Sequence, residues 1–288
     1  MTRRRLACWF TIAAMAVPAS IHSAAAPQRI VSLIPAVTEM LFAIGDGHRL
    51  VGVTSYDRFP PEVARITRVG GLLDPDVETI LALKPDLVVV YNTQIELKQR
   101  LDRAGISSYS YEHRALPDIT ATLRAIGARI GSAARANAVA ADMERAIGAI
   151  RAAPSRLPRP RTMLVFGRDR SSLRNIYASG GYGFLHDMLE AAGGENVFGD
   201  VKQQSVEVST EMALARRPEV IIELWYGDSA ANLDLQREPQ VWNALASLPA
   251  VRNHRVYELI GDEFVIPGPR VVDATRRLAQ VLHPDASR

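Results

Sequence analysis

Residues 78–90 read E-T-I-L-A-L-K-P-D-L-V-V-V, and residues 211–222 read E-M-A-L-A-R-R-P-E-V-I-I. The same phrase is written twice: a Glu, a Leu-Ala pair three residues on, a basic residue, a Pro seven residues after the Glu, an acid, then aliphatic residues. Asp76 and Ser209, two residues before each Glu, are of N-cap type, which puts Glu78 and Glu211 in a first helical turn. Each helix must end near Pro85 or Pro218, because the residue before a proline is pushed out of the α region. Leu87–Val90 and Val220–Ile222 then read as buried strands. The phrase is thus a helix-turn-strand unit present in both halves. It predicts two similar lobes with a ligand cleft between them.

Outward from the phrase, strand and helix alternate. Residues 29–34 read as a strand ended by Pro35. A helix is expected over Ala36–Ile44, a second strand over Leu50–Thr54, a polar helix over Glu96–Ala104 and a strand over Ser107–Tyr111. Asp118 opens a helical region that Gly127 and Gly131 interrupt, and Ser132 caps an Ala-rich helix running to about Ala153 with Val139, Met143, Ile147 and Ile150 as its apolar stripe. Pro154, Pro158 and Pro160 break the chain. The second half restarts with a strand over Thr162–Phe166 and ends in a helix from Pro269 to Leu282. Gly180-Gly181-Tyr182-Gly183 precedes a helix at Phe184–Ala192 but lacks the phosphate-binding fingerprints, so it reads as a close strand-to-helix turn. The expected architecture is α/β: two lobes with mainly parallel central sheets joined by one long α-helix. Its divisions fall at 1–26, 27–131 (first lobe), 132–153 (linking helix) and 154–288 (second lobe).

Residues 1–26 read as a cleavable export signal. Arg3, Arg4 and Arg5 precede an apolar stretch too short to span a bilayer, and Ser23-Ala24-Ala25-Ala26 offers small residues for cleavage. Cys8 lies too early for a lipid-modified N-terminus. Without this segment the 34 Lys and Arg fall to 31, equal to the 31 Asp and Glu. The formal charge of +3 therefore vanishes, and with it the compositional support for nucleic-acid binding. The only cysteine leaves as well, so neither disulfides nor thiolate chemistry is expected. A soluble, periplasmic protein, monomeric when free, is the expectation.

Local catalytic motifs are missing. The histidines at 48, 113, 186, 254 and 283 have no metal-ligand spacing, and no G-x-S-x-G elbow occurs. An exported α/β hydrolase is the competing class, without a nucleophile motif behind it. Aromatic residues at strand ends are more informative, since the carboxyl ends of strands in open α/β sheets face the ligand crevice. Tyr56, Tyr91, Trp225 and Phe264 lie at or beyond such ends, as does Arg168, a candidate for a ligand carboxylate, phosphate or amide. Glu78 and Glu211, at equivalent places on two lobes, are candidates to pair with basic residues on a two-fold symmetric partner.

The stretches R-I-V-S-L-I-P-A-V-T-E-M-L-F-A-I-G (29–45), V-G-V-T-S-Y-D-R-F-P-P (51–61) and A-G-G-E-N-V-F (192–198), with the two phrases, resemble the substrate-binding proteins of vitamin B12, haem and ferric-siderophore ABC importers. The resemblance spans nearly all of residues 28–283. It implies two α/β lobes on a single helical link with little opening or closing, no catalysis and no cofactor. It also implies docking through Glu78 and Glu211 onto a membrane-embedded permease dimer, and a bulky metal complex as cargo. The cobalamin-binding branch is most similar, around P-A-x-T-E and S-Y-x-x-x-P-P. Its pocket positions map to Tyr56, Tyr91, Phe166, Asp262 and Phe264, while Leu72 and Val206 stand where that branch has tryptophans. A corrinoid is the first expectation for the ligand, with haem or a ferric siderophore as alternatives. For haem the axial candidates are Tyr56, Tyr91, Tyr226 and His113; for an anionic siderophore Arg168 or Arg174 is the anchor. No metal ligand is assigned.

Overall fold

The computed structural model describes residues 26–287; the expected export signal and Cys8 lie outside the described residues. The first half builds a five-stranded, wholly parallel sheet in the order β3-β2-β1-β4-β5. Its strands are β1 (Ile30–Ser32), β2 (Leu50–Val53), β3 (Thr67–Arg68), β4 (Leu87–Tyr91) and β5 (Ser107–Tyr111). The connecting helices are α1 (Pro35–Ala43), α2 (Val77–Ala82), α3 (Ile95–Arg103) and α4 (Leu116–Arg129). The run Leu87–Val90 is buried throughout because both sheet faces are covered. Leu87 and Val89 join the main core, and Val88 and Val90 pack beneath α2 and α3.

The long helix α5 (Ala133–Ala152) follows, and then the second sheet, ordered β11-β10-β6-β7-β9 with β8 beside β6. These strands are β6 (Arg161–Gly167), β7 (Ile176–Ser179), β8 (Glu195–Asn196), β9 (Ser205–Val208), β10 (Val220–Trp225) and β11 (Val256–Ile260). β7 pairs antiparallel with β6 and β9, and the remaining pairings are parallel. Helices α6 (Phe184–Ala191), α7 (Thr210–Arg216), α8 (Pro249–Arg252) and α9 (Val271–Leu282) complete this half.

The repeated phrase is a repeat of hydrogen bonds as well as of letters. Asp76 accepts from the Thr79 amide, and Ser209 accepts from the Met212 amide. Lys84 and Arg217 both end their helices with positive φ, 47° and 51°. The guanidinium of Arg29 donates to the Leu83 carbonyl, and that of Arg161 to the Arg216 carbonyl. Asp86 accepts the Arg29 amide as Glu219 accepts the Arg161 amide. In each lobe the acid after the proline clamps the start of the lobe's first strand.

Two local expectations are corrected. Gly127 does not interrupt its helix but lies inside α4, where a Cβ would collide with that of Ala136 on α5; the glycine lets the two helices touch. Ser132 precedes α5 without capping it, because its hydroxyl accepts from Arg135, which also pairs with buried Asp46. The glycine-rich turn at 180–183 is as expected, since any Cβ at Gly180 or Gly181 would strike the carbonyls of Gln203 or Gly199.

One hydrophobic cluster passes through both halves. It takes Ile30, Val37 and Ile126 from the first, Ala136 and Met143 from α5, and Leu164, Ile222 and Leu278 from the second. Each large aliphatic side chain fully buried there contributes about 1.5–3 kcal/mol, so parting the lobes through this core is strongly opposed. The Leu116 amide donates to Asp187 across the same seam.

Candidate ligand cleft

A cavity of about 420 Å³ lies where the carboxyl ends of strands from both sheets face one another. That size falls within the range of about 300–1,000 Å³ typical of small-molecule sites. Pro35, Tyr56 and Arg58, from the segments after β1 and β2, form the first lobe's wall. The second lobe supplies Phe166 and Arg168 from the end of β6, Glu223 to Ser229 from β10 and the turn after it, and Asp262, Val265 and Ile266 from the segment after β11.

The two-residue strand period sets which side chains reach the cavity from which side. On β10, Val220, Ile222 and Leu224 face the core shared by the lobes, while Ile221, Glu223 and Trp225 face the opposite layer. Trp225 is buried, its ring lies 5.1 Å from the Arg168 guanidinium carbon, and its indole N–H donates to Glu258. Arg168 and Glu223 have side chains only 1% exposed. Arg168 holds Glu223 in a bidentate pair at 2.5 and 2.9 Å and meets Glu238 Oε2 at 2.9 Å. Burial pulls the Arg168 pKa down, but the two carboxylates outweigh it and hold the group above its ordinary value. Glu258 is the register partner of Glu223 on the next strand. Burial, and then the adjoining Glu223 carboxylate, push its pKa up to about 9. A proton on Glu258 Oε1, which has no donor of its own, lets these two acids lie side by side.

The other charged side chains that line the cavity are matched as well, except Asp262. Arg58 reaches across from the first lobe to Asp228 at 2.7 Å, through side chains that are 46% and 96% exposed. Arg170 holds the same turn by donating to the carbonyls of Asp228, Ser229 and Ala231. Deeper between the lobes Arg270 chelates buried Glu39 and also meets Glu263. Burial raises the Glu39 pKa against the pull of Arg270. Asp262 accepts the Gly227 amide at 2.8 Å and, among the described residues, has no ion-pair partner. The cavity therefore carries surplus negative charge.

Of the seven residues expected to touch a ligand, the structure brings five to the cavity: Tyr56, Phe166, Arg168, Trp225 and Asp262. Two lie elsewhere. Phe264 is fully buried in the main core beneath the Arg277 guanidinium, because the turn after β11 directs it inward. Tyr91 is half-buried and packs edge-on against Tyr111, 5.4 Å between centroids. Arg168 lines the cavity, but not as a free anion receptor, since its N–H edges are taken by the carboxylates of Glu223 and Glu238. Arg174 is an exposed residue 3.9 Å from Asp169 and away from the cavity. His113 is sandwiched between Tyr111 and Phe184, which leaves Tyr56 and Tyr226 as the cavity's phenols. Burial raises the Tyr226 pKa, opposite to what a phenolate metal ligand needs. Val206 turns into the second lobe's core on β9, so the side chain at that position faces away from the cleft. Arg58 and Asp228 were not anticipated; their contact spans 170 residues of sequence, and no local pattern announces it. Glu78 and Glu211 stand exposed in the first turns of α2 and α7, as expected.

Comparison with known proteins gives consistent matches along the chain. Residues 30–262 match the family described as periplasmic binding protein. The chain is 32% identical over 260 residues to a vitamin B12-binding protein of Salmonella typhimurium, covering 89% of this chain and 91% of that one. The crystal structure of the periplasmic vitamin B12-binding protein of Vibrio cholerae is similar at a TM-score of 0.74 and 27% identity, over 91% of this chain and 98% of that one. A periplasmic haem-binding protein from Roseiflexus, in apo form, is similar at 0.73 and 25% identity, over 91% and 99%.

Proposed function

This chain belongs to the periplasmic binding protein family, and from that premise we propose that its cleft captures a corrinoid in the periplasm and hands it to a membrane permease. The chain is a substrate-binding component of an ABC importer. The choice of ligand rests on charge. The two guanidiniums that line the cavity, Arg58 and Arg168, are matched by carboxylates, and Asp262 is left over. Haem brings propionates and ferric catecholate siderophores bring net negative charge, and both meet a wall of the same sign. A corrinoid is fringed by neutral amides, whose N–H groups suit Asp262 and whose flat ring suits Tyr56, Phe166 and Tyr226. The vitamin B12-binding relatives support the same reading. Binding alone is the task we assign; no bond is made or broken. The core shared by the lobes favours capture without large closure, and Glu78 and Glu211 are the residues we assign to permease docking.

The test is to compare cyanocobalamin with a derivative in which one peripheral amide is hydrolysed to a carboxylate. At about 6 Å from Asp262 and an effective dielectric constant of about 20, the added charge costs at most about 3 kcal/mol, and about 1–3 kcal/mol in an open cleft. The acid derivative is therefore expected to bind roughly 10–100-fold more weakly, and Asp262→Asn to narrow the gap. Equal or tighter binding of the acid would overturn the charge argument.

A further inference from the structure

The repeated helices carry more than a glutamate. In α2 the residue one turn after Glu78 is Leu81, and in α7 the residue one turn after Glu211 is Leu214. Spacing of three puts each Leu on the same helix face as its Glu. Both leucines are exposed to the same extent, 38%, while Ile80 and Ala213 of the same helices are fully buried. A single exposed Leu is ordinary. Here the same Glu-and-Leu pair recurs at matching positions, on helices fixed in each lobe by the same cap, the same left-handed stop and the same strand clamp. Neither Glu makes an ion pair among the described residues.

We infer that Leu81 and Leu214 are matched apolar contacts for the importer's permease, so that each of two symmetry-related permease subunits presents a basic side chain beside an apolar one. The inference rests on the docking role assigned to Glu78 and Glu211. A two-fold partner offers the same surface twice, and this chain answers with the same surface twice from one polypeptide. The carboxylates supply sign and orientation, which act mainly on encounter and fade with salt. The leucines supply apolar area, which acts mainly on dissociation. The two patches are not identical: Met212 is exposed where α2 has half-buried Thr79, so the second lobe's patch is the more apolar and Leu214 the stronger contact.

The experiment measures binding of the purified protein to native membrane vesicles from the cells that produce it, at several salt concentrations. The double variant L81S/L214S should bind at least about tenfold more weakly, through faster dissociation, and keep the wild-type salt dependence. L81M/L214M should bind like wild type. E78A/E211A should bind weakly and lose most of the salt dependence. A photocrosslinker at position 82 and one at position 215 should label one and the same permease polypeptide. If L81S/L214S binds like wild type while E78A/E211A does not, the leucine contacts are refuted and the docking role of the glutamates stands. If none of the variants changes binding, or wild type shows no saturable binding, the docking reading falls and the inference with it. Loss of thermal stability or of ligand affinity in L81S/L214S, or labelling of two different polypeptides, also overturns it.

Discussion

Glu258→Gln is expected to raise stability by an amount that grows as pH rises from mild acid to alkaline conditions. In the folded protein burial and the neighbouring Glu223 carboxylate push Glu258 up to about 9, whereas in the unfolded chain a Glu titrates near about 4.3. Between those values the folded state holds a proton that the unfolded state releases, so stability falls as pH rises and levels off only above the folded value. One proton of difference gives a slope of about 1.4 kcal/mol per pH unit, or at most about 3 kcal/mol between pH 6 and 8. A glutamine keeps an N–H for Glu223 and an oxygen for the Trp225 indole, and it does not titrate. Urea unfolding at pH 5.5, 7 and 8 reads the difference directly, with comparison of the m values checking that both proteins unfold alike. Curves for variant and wild type that stay parallel over this range, or a variant less stable at pH 8, would refute the shared-proton account of Glu223 and Glu258.

One contrast separates the cavity wall from the core. Trp225→Ala should weaken ligand binding by tenfold or more, a loss of about 1.4 kcal/mol or above, whereas Phe264→Ala should cost about 3–5 kcal/mol of stability and leave the affinity of the folded fraction unchanged; paired melting and titration of the two variants would decide. Arg168→Gln should destabilise by about 3–5 kcal/mol, because it leaves Glu223 and Glu238 buried without their cation, and the midpoint of chemical unfolding reports it.

The lobes were legible because the doubled phrase carries its own punctuation. Asp76 and Ser209 fix where each helix starts, Pro85 and Pro218 fix where it stops and the strand begins, and local chemistry alone sets them. Tyr56, Phe166, Trp225 and Asp262 were legible for a related reason: they follow strand ends, and the carboxyl end of a parallel sheet is where a crevice opens. What stayed hidden depends on contacts between distant segments. Phe264 also follows a strand, yet the turn at 261–264 sends it into the core, and sequence position cannot distinguish inward from outward at a strand end. Arg168 was read as a free cation because Glu223 and Glu238 lie 55 and 70 residues away. The Arg58–Asp228 pair and the contact of Gly127 with Ala136 are likewise properties of packing, invisible to any local window.

Capture of a corrinoid by this cleft is tested by equilibrium titrations of the purified protein with cyanocobalamin, haemin and a ferric tricatecholate, followed by intrinsic tryptophan fluorescence and by ligand absorbance. Cyanocobalamin is expected to bind saturably and one-to-one at micromolar concentration or below, about −8 kcal/mol or better, and the two anionic complexes to bind more weakly by tenfold or more. Tight binding of haemin or of the ferric complex, with cyanocobalamin unbound, would contradict corrinoid capture.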